Sequence, residues 1–259
     1  MRILDYFMQK IENIFIRYAE INARNYSTAL LHQKTFLPYK NYCKGERPVV
    51  VCGAGPTLQE YQPIEGAVHI ALNRAFLYPK VDFDFVYAQD FDGIKMVQQE
   101  LIEYKGNHCV KLLGQGNGGP KEIPESLALK CNALRFATDM YMIKSGWWSK
   151  FVFDIDSRAV GGMPNVGLSA MQFALYLNPN ILYIVGCDMS GGHFVNTNQS
   201  KTEIEKERKV MESRWDNQEK LINKWQECKE FAGRYYPDTR IVSVNPVGLK
   251  GVFEDLYQQ

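Results

Sequence analysis

A glycine-rich turn directly follows the first apolar run of the chain and has the chemistry of an anion-binding site. Residues 49–52 (Val-Val-Val-Cys) predict a short buried strand. The turn after it consists of Gly53, Ala54, Gly55, Pro56 and Thr57. Glycines let a ligand approach the backbone and leave amides available for an anion, and the N-terminus of the helix expected next would favour phosphate. The turn therefore predicts a nucleotide or sugar-nucleotide site near residue 53.

A second bend of similar composition precedes a helix predicted at residues 165–177. The bend contains two glycines, and the helix begins with Asn165, Val166 and Gly167. Amides at the start of this helix would form a second anion cradle, although Asn165 could equally serve as a simple helix cap. Two cradles facing one cleft favour a phosphate-bearing ligand more than either cradle alone.

Polar residues follow other predicted strands, at the end where parallel sheets bind their ligands. The candidates are Asn73, Arg74, Gln89 and Asp90. Asp90 also forms a D-x-D pair with Asp92, and such a pair can hold a divalent ion against a diphosphate. The alternative is a turn in which the carboxylates cap backbone amides. Both interpretations stay open from the sequence.

Asp188 and His193 are candidates for catalysis because they follow the apolar strand predicted at residues 181–185. Imidazole titrates near neutral pH, so a histidine on a loop beyond a strand end could act as the general base. Asp188 would then shape the loop or orient the acceptor. A surface histidine without a role is the alternative for His193, whereas His32 and His69 are expected to be structural.

Two common nucleotide-binding motifs are not matched by the chain. The dinucleotide fingerprint requires a third glycine where the chain has Leu58, and an acidic residue where the second predicted strand ends in Asn73. No Gly-Lys-Ser/Thr follows the glycine turn at the spacing of a P-loop. These departures argue against an NAD-dependent dehydrogenase and against a P-loop nucleotidase.

The elements that must position these residues follow the order of an α/β fold. Strands are predicted at residues 49–52, 67–72, 83–88, 108–112, 151–155, 181–185 and 240–244. Helices are predicted at residues 96–104, 165–177 and 201–234. Apolar strands that alternate with helices indicate a mostly parallel sheet covered on both faces. The prediction is a single Rossmann-like catalytic domain over residues 47–259, with a lid at residues 190–215.

Residues 1–46 predict a helical N-terminal extension. Apolar residues between Ile3 and Tyr18 recur at helical spacing, with basic residues among them. The helix could pack on the domain or on a second subunit of a homo-oligomer, or it could lie on an anionic membrane face. Three acidic residues on its polar face weaken the membrane alternative.

Composition narrows the class of protein and its partners. The 259-residue chain has a formal net charge of +1, which does not indicate a nucleic-acid partner. No apolar run reaches the roughly 20 residues that span a bilayer, and the N-terminus lacks the apolar segment of a secretory signal. The six cysteines form no C-x-x-C pair and are expected to be reduced. We therefore expect a cytoplasmic protein, with the inner face of the membrane as an alternative location.

Four segments of the chain resemble one bacterial superfamily. They are Gly53-Ala-Gly-Pro-Thr-Leu, Ala71-Leu-Asn-Arg, Pro164-Asn-Val-Gly-Leu-Ser-Ala-Met-Gln-Phe-Ala-Leu-Tyr and Ile184-Val-Gly-Cys-Asp-Met. The superfamily contains the sialyltransferases that use CMP-sialic acid to decorate lipooligosaccharide, the Maf-type flagellin-modification transferases and the MptE-like pterin diphosphokinases. The resemblance covers residues 47–195, with a weaker tail at Val244-Asn-Pro246.

The resemblance implies roles for several of the candidate residues. It places the nucleotide at Gly53, Gly55 and Asn73, with Gln89 standing where those sialyltransferases have another asparagine. It places the donor phosphate and carboxylate at residues 165–167, and it implies that no metal is required.

One departure from the superfamily concerns the catalytic base. The sialyltransferases carry their catalytic histidine in a lid before the final helix, where this chain has Ser-Arg-Trp-Asp at residues 213–216. His193, Asp188 or Asp216 would have to take that role, or the activity differs.

The resemblance implies a glycosyltransferase without a further cofactor. Its donor would be a CMP-activated sugar, such as a sialic acid, and its acceptor a surface glycan or lipooligosaccharide. Two alternatives stay open. One is an MptE-like diphosphokinase that uses a nucleoside triphosphate and Mg²⁺ at Asp90 and Asp92, and the other is a catalytically silent protein that binds a nucleotide sugar.

Overall fold

Within the described residues, eight strands form a single parallel sheet. The computed structural model describes residues 2–106, 108–115, 122–139, 150–163, 165–189 and 218–256, without the side chains of residues 2–6 and 218. The strands are β1 Val49–Cys52, β2 Val68–Leu72, β3 Phe85–Ala88, β4 Val110–Gln115, β5 Leu134–Ala137, β6 Ile181–Val185, β7 Arg240–Ser243 and β8 Glu254–Asp255. The α-helices are α1 Arg2–Thr35, α2 Gln98–Glu103, α3 Glu125–Lys130, α4 Val166–Tyr176 and α5 Gln218–Tyr235, and 3₁₀ helices lie at Leu37–Tyr39, Pro56–Glu60 and Asn73–Leu77.

The strand order reverses between β1 and β6. The order across the sheet is β5-β4-β3-β2-β1-β6-β7-β8, and every neighbouring pair is parallel. Open parallel sheets bind ligands outside the carboxyl ends of their strands, where the strand order reverses. The predicted α/β class with a mostly parallel sheet is confirmed, and the ends of β1 and β6 mark the expected position of a site.

Both faces of the sheet are buried, which explains the continuous apolar strands. Successive side chains of a strand point to opposite faces. Val49 and Val51 of β1 accordingly belong to the core cluster that includes Phe173 of α4, whereas Val50 and Cys52 belong to the cluster on the other face. This packing holds α4 across the sheet.

Three local predictions are wrong. Residues 151–155 do not form a strand, because the Val152 N–H donates to Gln172 Oε1 (2.9 Å) rather than to a neighbouring strand. The helix expected after the glycine turn is only the 3₁₀ helix Pro56–Glu60. β5 was not predicted, since this partly buried edge strand contains Arg135 and lacks a continuous apolar run. The helix predicted at 201–234 is present over Gln218–Tyr235, and residues 201–217 lie outside the described residues.

Within the described part of the chain, the N-terminal helix α1 is buried against the domain in its last two turns. Residues 7–27 are all exposed, whereas Thr28, His32 and Thr35 are buried. The His32 Nδ1–H donates to Ile155 O (2.7 Å), and the Ala137 N–H donates to His32 Nε2 (2.7 Å). None of the helices in the described part of the chain has the length and apolar content needed to cross a bilayer.

His32 is expected to make folding stability depend on pH. Burial lowers the pKa of His32 from its ordinary value of 6.5, and an imidazolium could not accept the Ala137 N–H. The unfolded chain therefore binds a proton below pH 6.5 that the folded chain excludes, so stability is complete above pH 6.5 and falls as the pH decreases towards the lowered pKa. Burial also lowers the pKa of His69, which adds a loss in the same direction.

Urea denaturation between pH 5 and pH 7.5 tests this prediction. His32→Gln cannot take up a proton, so its free energy of unfolding should decrease less at low pH than that of the wild type. Because His69 still titrates, some pH dependence should remain. If the free energy of unfolding decreased equally in the wild type and the variant at low pH, His32 would not be a source of the pH dependence.

Candidate functional site

The loops after β1 and β6 touch at the carboxyl edge of the sheet, where the strand order reverses. A Cβ atom at Gly53 would overlap the carbonyl oxygen of Gly186, and a Cβ atom at Gly186 would overlap the carbonyl oxygen of Gly53. Gly186 also has φ +67°, in the left-handed region that favours glycine. Both glycines are therefore required for the close approach of the two loops.

The amides of the glycine turn are bonded within the chain. The bonds are Gly53 N to Val185 O (2.8 Å), Gly55 N to Gly186 O (2.8 Å) and Thr57 N to Asp188 Oδ2 (2.8 Å). The loop after β6 supplies the acceptors of these three amides, so a ligand at this turn would have to be bound by other groups, and the assignment of residues 53–57 to a nucleotide site stays a prediction. Ala54 and Pro56 complete this turn, and Pro56 begins the 3₁₀ helix.

Asp188 links the two loops through its carboxylate. Both the amide and the hydroxyl of Thr57 donate to it. Burial raises the pKa of Asp188, the two bonds from Thr57 oppose that rise, and the nearby Glu60 carboxylate adds to it. This geometry agrees with the expected role of Asp188 in shaping the loop, and a role in catalysis stays a prediction.

The second bend lies at the same edge of the sheet. Gln89, directly after β3, donates from Nε2 to Met163 O (3.0 Å) and so holds the segment that leads into α4. Asn165 caps α4 by accepting from Gly167 N (2.6 Å), as the simpler interpretation predicted. Val166 is the first residue of α4. The two bends therefore lie at the carboxyl ends of β1 and β3 in one parallel sheet.

Asn73 lies between these bends, directly after β2. Its φ of +51° is uncommon for a residue other than glycine. Its side-chain amide lies so close to Gly93 that a Cβ atom there would overlap it. The Asn73 Oδ1 atom is buried and has no hydrogen-bond partner within the described part of the chain. Arg74 follows at a partly buried position.

The D-x-D pair at residues 90 and 92 forms a turn. Asp90 Oδ1 accepts from Gly93 N (3.1 Å), and Asp92 forms an exposed ion pair with Lys95 (3.0 Å). Both carboxylates thus take part in local structure, which agrees with the turn interpretation. Across the described residues, no three His, Cys, Asp or Glu side chains lie close enough together to hold a metal ion.

A cleft of about 280 Å³ lies beside Thr57, near the carboxyl ends of β6 and β7. Its lining residues are Thr57, Glu60, Tyr61, Val185, Val244 and Asn245. Asn245 donates to Glu60 Oε2 (2.8 Å) across 185 residues of sequence, which joins the loop after β7 to the 3₁₀ helix after β1. Glu60 and Tyr61 were not among the predicted site residues, whereas Asn245 lies in the Val244-Asn-Pro246 segment of the resemblance, after a predicted strand.

Of the four histidines, two are structural, one is the candidate base, and His108 is an exposed residue before β4 with no predicted role. His69 lies in β2, and its Nε2 atom is 2.9 Å from the Tyr61 hydroxyl. His32 binds two backbone groups. Both histidines are therefore structural, as predicted. His193 and the predicted lid at residues 190–215 lie outside the described residues.

Comparisons with known proteins give structural but not sequence matches. No protein-family model matches the chain, and no curated protein matches it significantly. The sialyltransferase CstII from Campylobacter jejuni in complex with CMP-3FNeuAc resembles it with a TM-score of 0.45 and 12% sequence identity, over 76% of this chain and 80% of that chain.

Two further solved structures resemble the chain to a similar degree. The sialyltransferase CST-II in complex with a trisaccharide acceptor and CMP gives a TM-score of 0.44 at 14% identity, over 76% of this chain and 80% of that chain. The Maf glycosyltransferase from Magnetospirillum magneticum gives 0.46 at 15% identity, over 89% of this chain and 38% of that chain.

Proposed function

We propose that this protein is a glycosyltransferase that moves a sugar from a CMP-activated donor to a surface glycan or lipooligosaccharide. The geometry of Asn73 carries the proposal. An uncommon left-handed backbone and a buried acceptor without a partner among the described residues occur together at this residue. Such features tend to concentrate at functional sites, and Asn73 follows β2, the neighbour of β1 at the edge where ligands bind.

The chemistry of Asn73 favours a base that carries an amino group. A buried amide oxygen requires a hydrogen-bond donor, and the exocyclic amine of cytosine is one. Adenine and guanine also carry amines, so the preference for cytosine rests on the resemblance to enzymes that use CMP-sialic acid.

In the proposed reaction, a base removes the proton of an acceptor hydroxyl, whose oxygen attacks the anomeric carbon of the donor as CMP leaves. The α4 N-terminus, at Asn165, Val166 and Gly167, would face the departing phosphate and stabilise its charge. We assign the role of general base to His193. Asp188 would position the loop that leads to His193.

We place the acceptor in the cleft beside β7. Its six lining residues include no cation, so it suits a neutral sugar better than a phosphate. Glu60 and Asn245 offer oxygen and nitrogen atoms to the hydroxyl groups of a glycan.

Asn73→Ala is expected to abolish the stabilisation of the protein by CMP. A ligand at 100 times its Kd raises the free energy of unfolding by about 2.7 kcal/mol, which a thermal melt detects. Asn132→Ala is the matched control, because Asn132 has φ +49° but lies exposed between α3 and β5. The control should keep the CMP-induced rise in Tm. Equal shifts in both variants, or no shift of the wild type with CMP, UMP, AMP or GMP, would refute the proposal.

Enzyme assays separate this proposal from the two alternatives. Hydrolysis of CMP-sugars should persist in EDTA and decrease strongly in His193→Ala. Loss of activity on chelation would favour the Mg²⁺-dependent diphosphokinase, for which the turn contacts of Asp90 and Asp92 provide no support. Binding of CMP without turnover by the wild type would favour the silent binding protein.

A further inference from the structure

The N-terminal part of α1 exposes a large apolar surface. Its exposed large hydrophobic residues are Phe7, Met8, Ile11, Ile14, Phe15, Ile16, Tyr18, Ile21 and Tyr26. Most helix stability in proteins comes from packing an apolar face, yet residues 7–27 are exposed all round. An apolar surface of this extent marks an interaction site.

The spacing of these residues is that of a coiled coil. Steps of three and four residues alternate along one stripe, which gives the 3.5-residue repeat that keeps a seam facing a partner helix. The stripe consists of Phe7, Ile11, Ile14, Tyr18, Ile21 and Asn25. An asparagine at one core position specifies register and oligomeric state at a cost in stability.

The same stripe continues into the contact between α1 and the domain. The next positions of the repeat are Thr28, His32 and Thr35, and all three are buried against the domain. The exposed seam therefore begins where the intramolecular contact ends, so the domain fixes the direction in which the seam projects.

The charge of the segment decides between a lipid surface and a second protein helix. Residues 2–27 contain four basic and three acidic residues, a net charge of +1. Attraction to an anionic membrane amounts to about 1 kcal/mol for each basic residue near the surface, and acidic residues oppose it. A nearly balanced polar face is instead typical of a helix that pairs with another helix.

The basic residues also favour one orientation of the pair. Lys10, Arg17 and Arg24 recur every seven residues along one border of the seam. In an antiparallel pair, the basic border of one helix would face the basic border of the other helix. Like charges would then lie next to each other. In a parallel pair the basic border faces the opposite border, which carries Phe15 and Asn22.

We propose that two copies of this protein associate through α1 as a parallel two-stranded coiled coil. The seam contains Phe7, Ile11, Ile14, Tyr18 and Ile21, and the two Asn25 side chains face each other at its end. The arrangement holds two domains side by side at the C-terminal ends of the paired helices. It does not depend on the proposed glycosyltransferase activity.

Ile14→Glu is expected to convert the full-length dimer into a monomer. Light scattering should give two chain masses for the wild type and a single chain mass of 29.8 kDa for the variant. Ile16→Glu is the matched control, because Ile16 is 49% exposed, Ile14 is 66% exposed, and Ile16 points away from the seam. This variant should stay dimeric. A wild type with the mass of one chain, or of three or more chains, or equal effects of the two substitutions, would overturn the proposal.

Cross-linking tests the orientation independently of the mass. In a parallel pair the two copies of Ile21 lie next to each other, so diamide should produce a disulfide-linked dimer of the Ile21→Cys variant. Ile16→Cys should give only the background of the wild type, whose six cysteines are free. An antiparallel pair would separate the two thiols introduced by Ile21→Cys and leave the chain uncross-linked. That result would overturn the parallel arrangement.

Vesicle flotation tests whether a membrane, rather than a second copy of the protein, covers the apolar face of α1. A wild type that is monomeric, floats with phosphatidylglycerol vesicles and loses that binding in Ile14→Glu would assign the apolar face to a membrane and refute the coiled coil. The coiled coil is supported if the wild type is a dimer that does not float with the vesicles and the Ile14→Glu variant is a monomer.

Discussion

Gly186→Ala is expected to destabilise the protein by about 2–5 kcal/mol. The left-handed backbone costs an alanine roughly 1–2 kcal/mol, and forcing an extra carbon into a packed site costs about 1–3 kcal/mol more. The added Cβ atom would overlap the carbonyl oxygen of Gly53, a backbone atom that cannot move without displacing the turn after β1. Urea denaturation gives the loss in free energy of unfolding.

Gly66→Ala separates the two contributions. Gly66 has φ +72°, close to the +67° of Gly186, but a Cβ atom there would have no heavy atom within 4 Å. Its substitution should therefore cost only the backbone strain, about 1–2 kcal/mol. Equal losses for the two variants would mean that the loops after β1 and β6 do not touch as described. The difference between the two losses in free energy of unfolding measures the steric cost of the contact between the loops after β1 and β6.

Phe36→Ala is expected to cost about 3–5 kcal/mol, the usual range for removing a buried phenylalanine. Phe36 directly follows α1 and is fully buried, with ring centroids 5.7 Å from Phe136 and 5.6 Å from Phe173. Those partners belong to β5 and α4, so the substitution weakens the contact between the N-terminal segment and the sheet. Thermal melts and urea denaturation both report the loss.

Leu37→Ala is the control for this prediction. Leu37 is the next residue in the chain but is 47% exposed, so its truncation should change stability by less than about 0.5 kcal/mol. A loss below about 1 kcal/mol for Phe36→Ala would indicate a boundary at residue 46 between two independent units. A large loss would make residues 28–46 a structural part of the domain that the sequence predicted to begin at residue 47.

Several features of the candidate site could be predicted because they depend on neighbouring residues alone. The apolar runs of β1 and β6 indicated buried strands, and Asn165 before an apolar helix indicated a cap. Asn73 and Gln89 were expected at one edge, since the carboxyl ends of parallel strands share that edge. The turn formed by Asp90 was likewise one of two local alternatives.

The acceptors of the glycine turn could not be predicted in the same way. Asp188 is 131 residues from Thr57 in sequence, and the two meet only because β6 is the neighbour of β1. Local spacing carries no information about which strand lies beside which. For this reason the turn looked like an open anion site in the sequence, whereas in the folded chain its amides bind the loop after β6.

By itself, the sequence determined the class of fold, the strands that end in polar residues and the repeat along α1, because each follows from the periodicity of side chains along a short segment. Only the tertiary structure decided that Gly53 and Gly186 close the edge of the sheet, that Glu60 and Asn245 form one wall of a cleft, and that α1 docks through His32. These contacts join residues far apart in the chain, and the order of strands in the sheet brings them together.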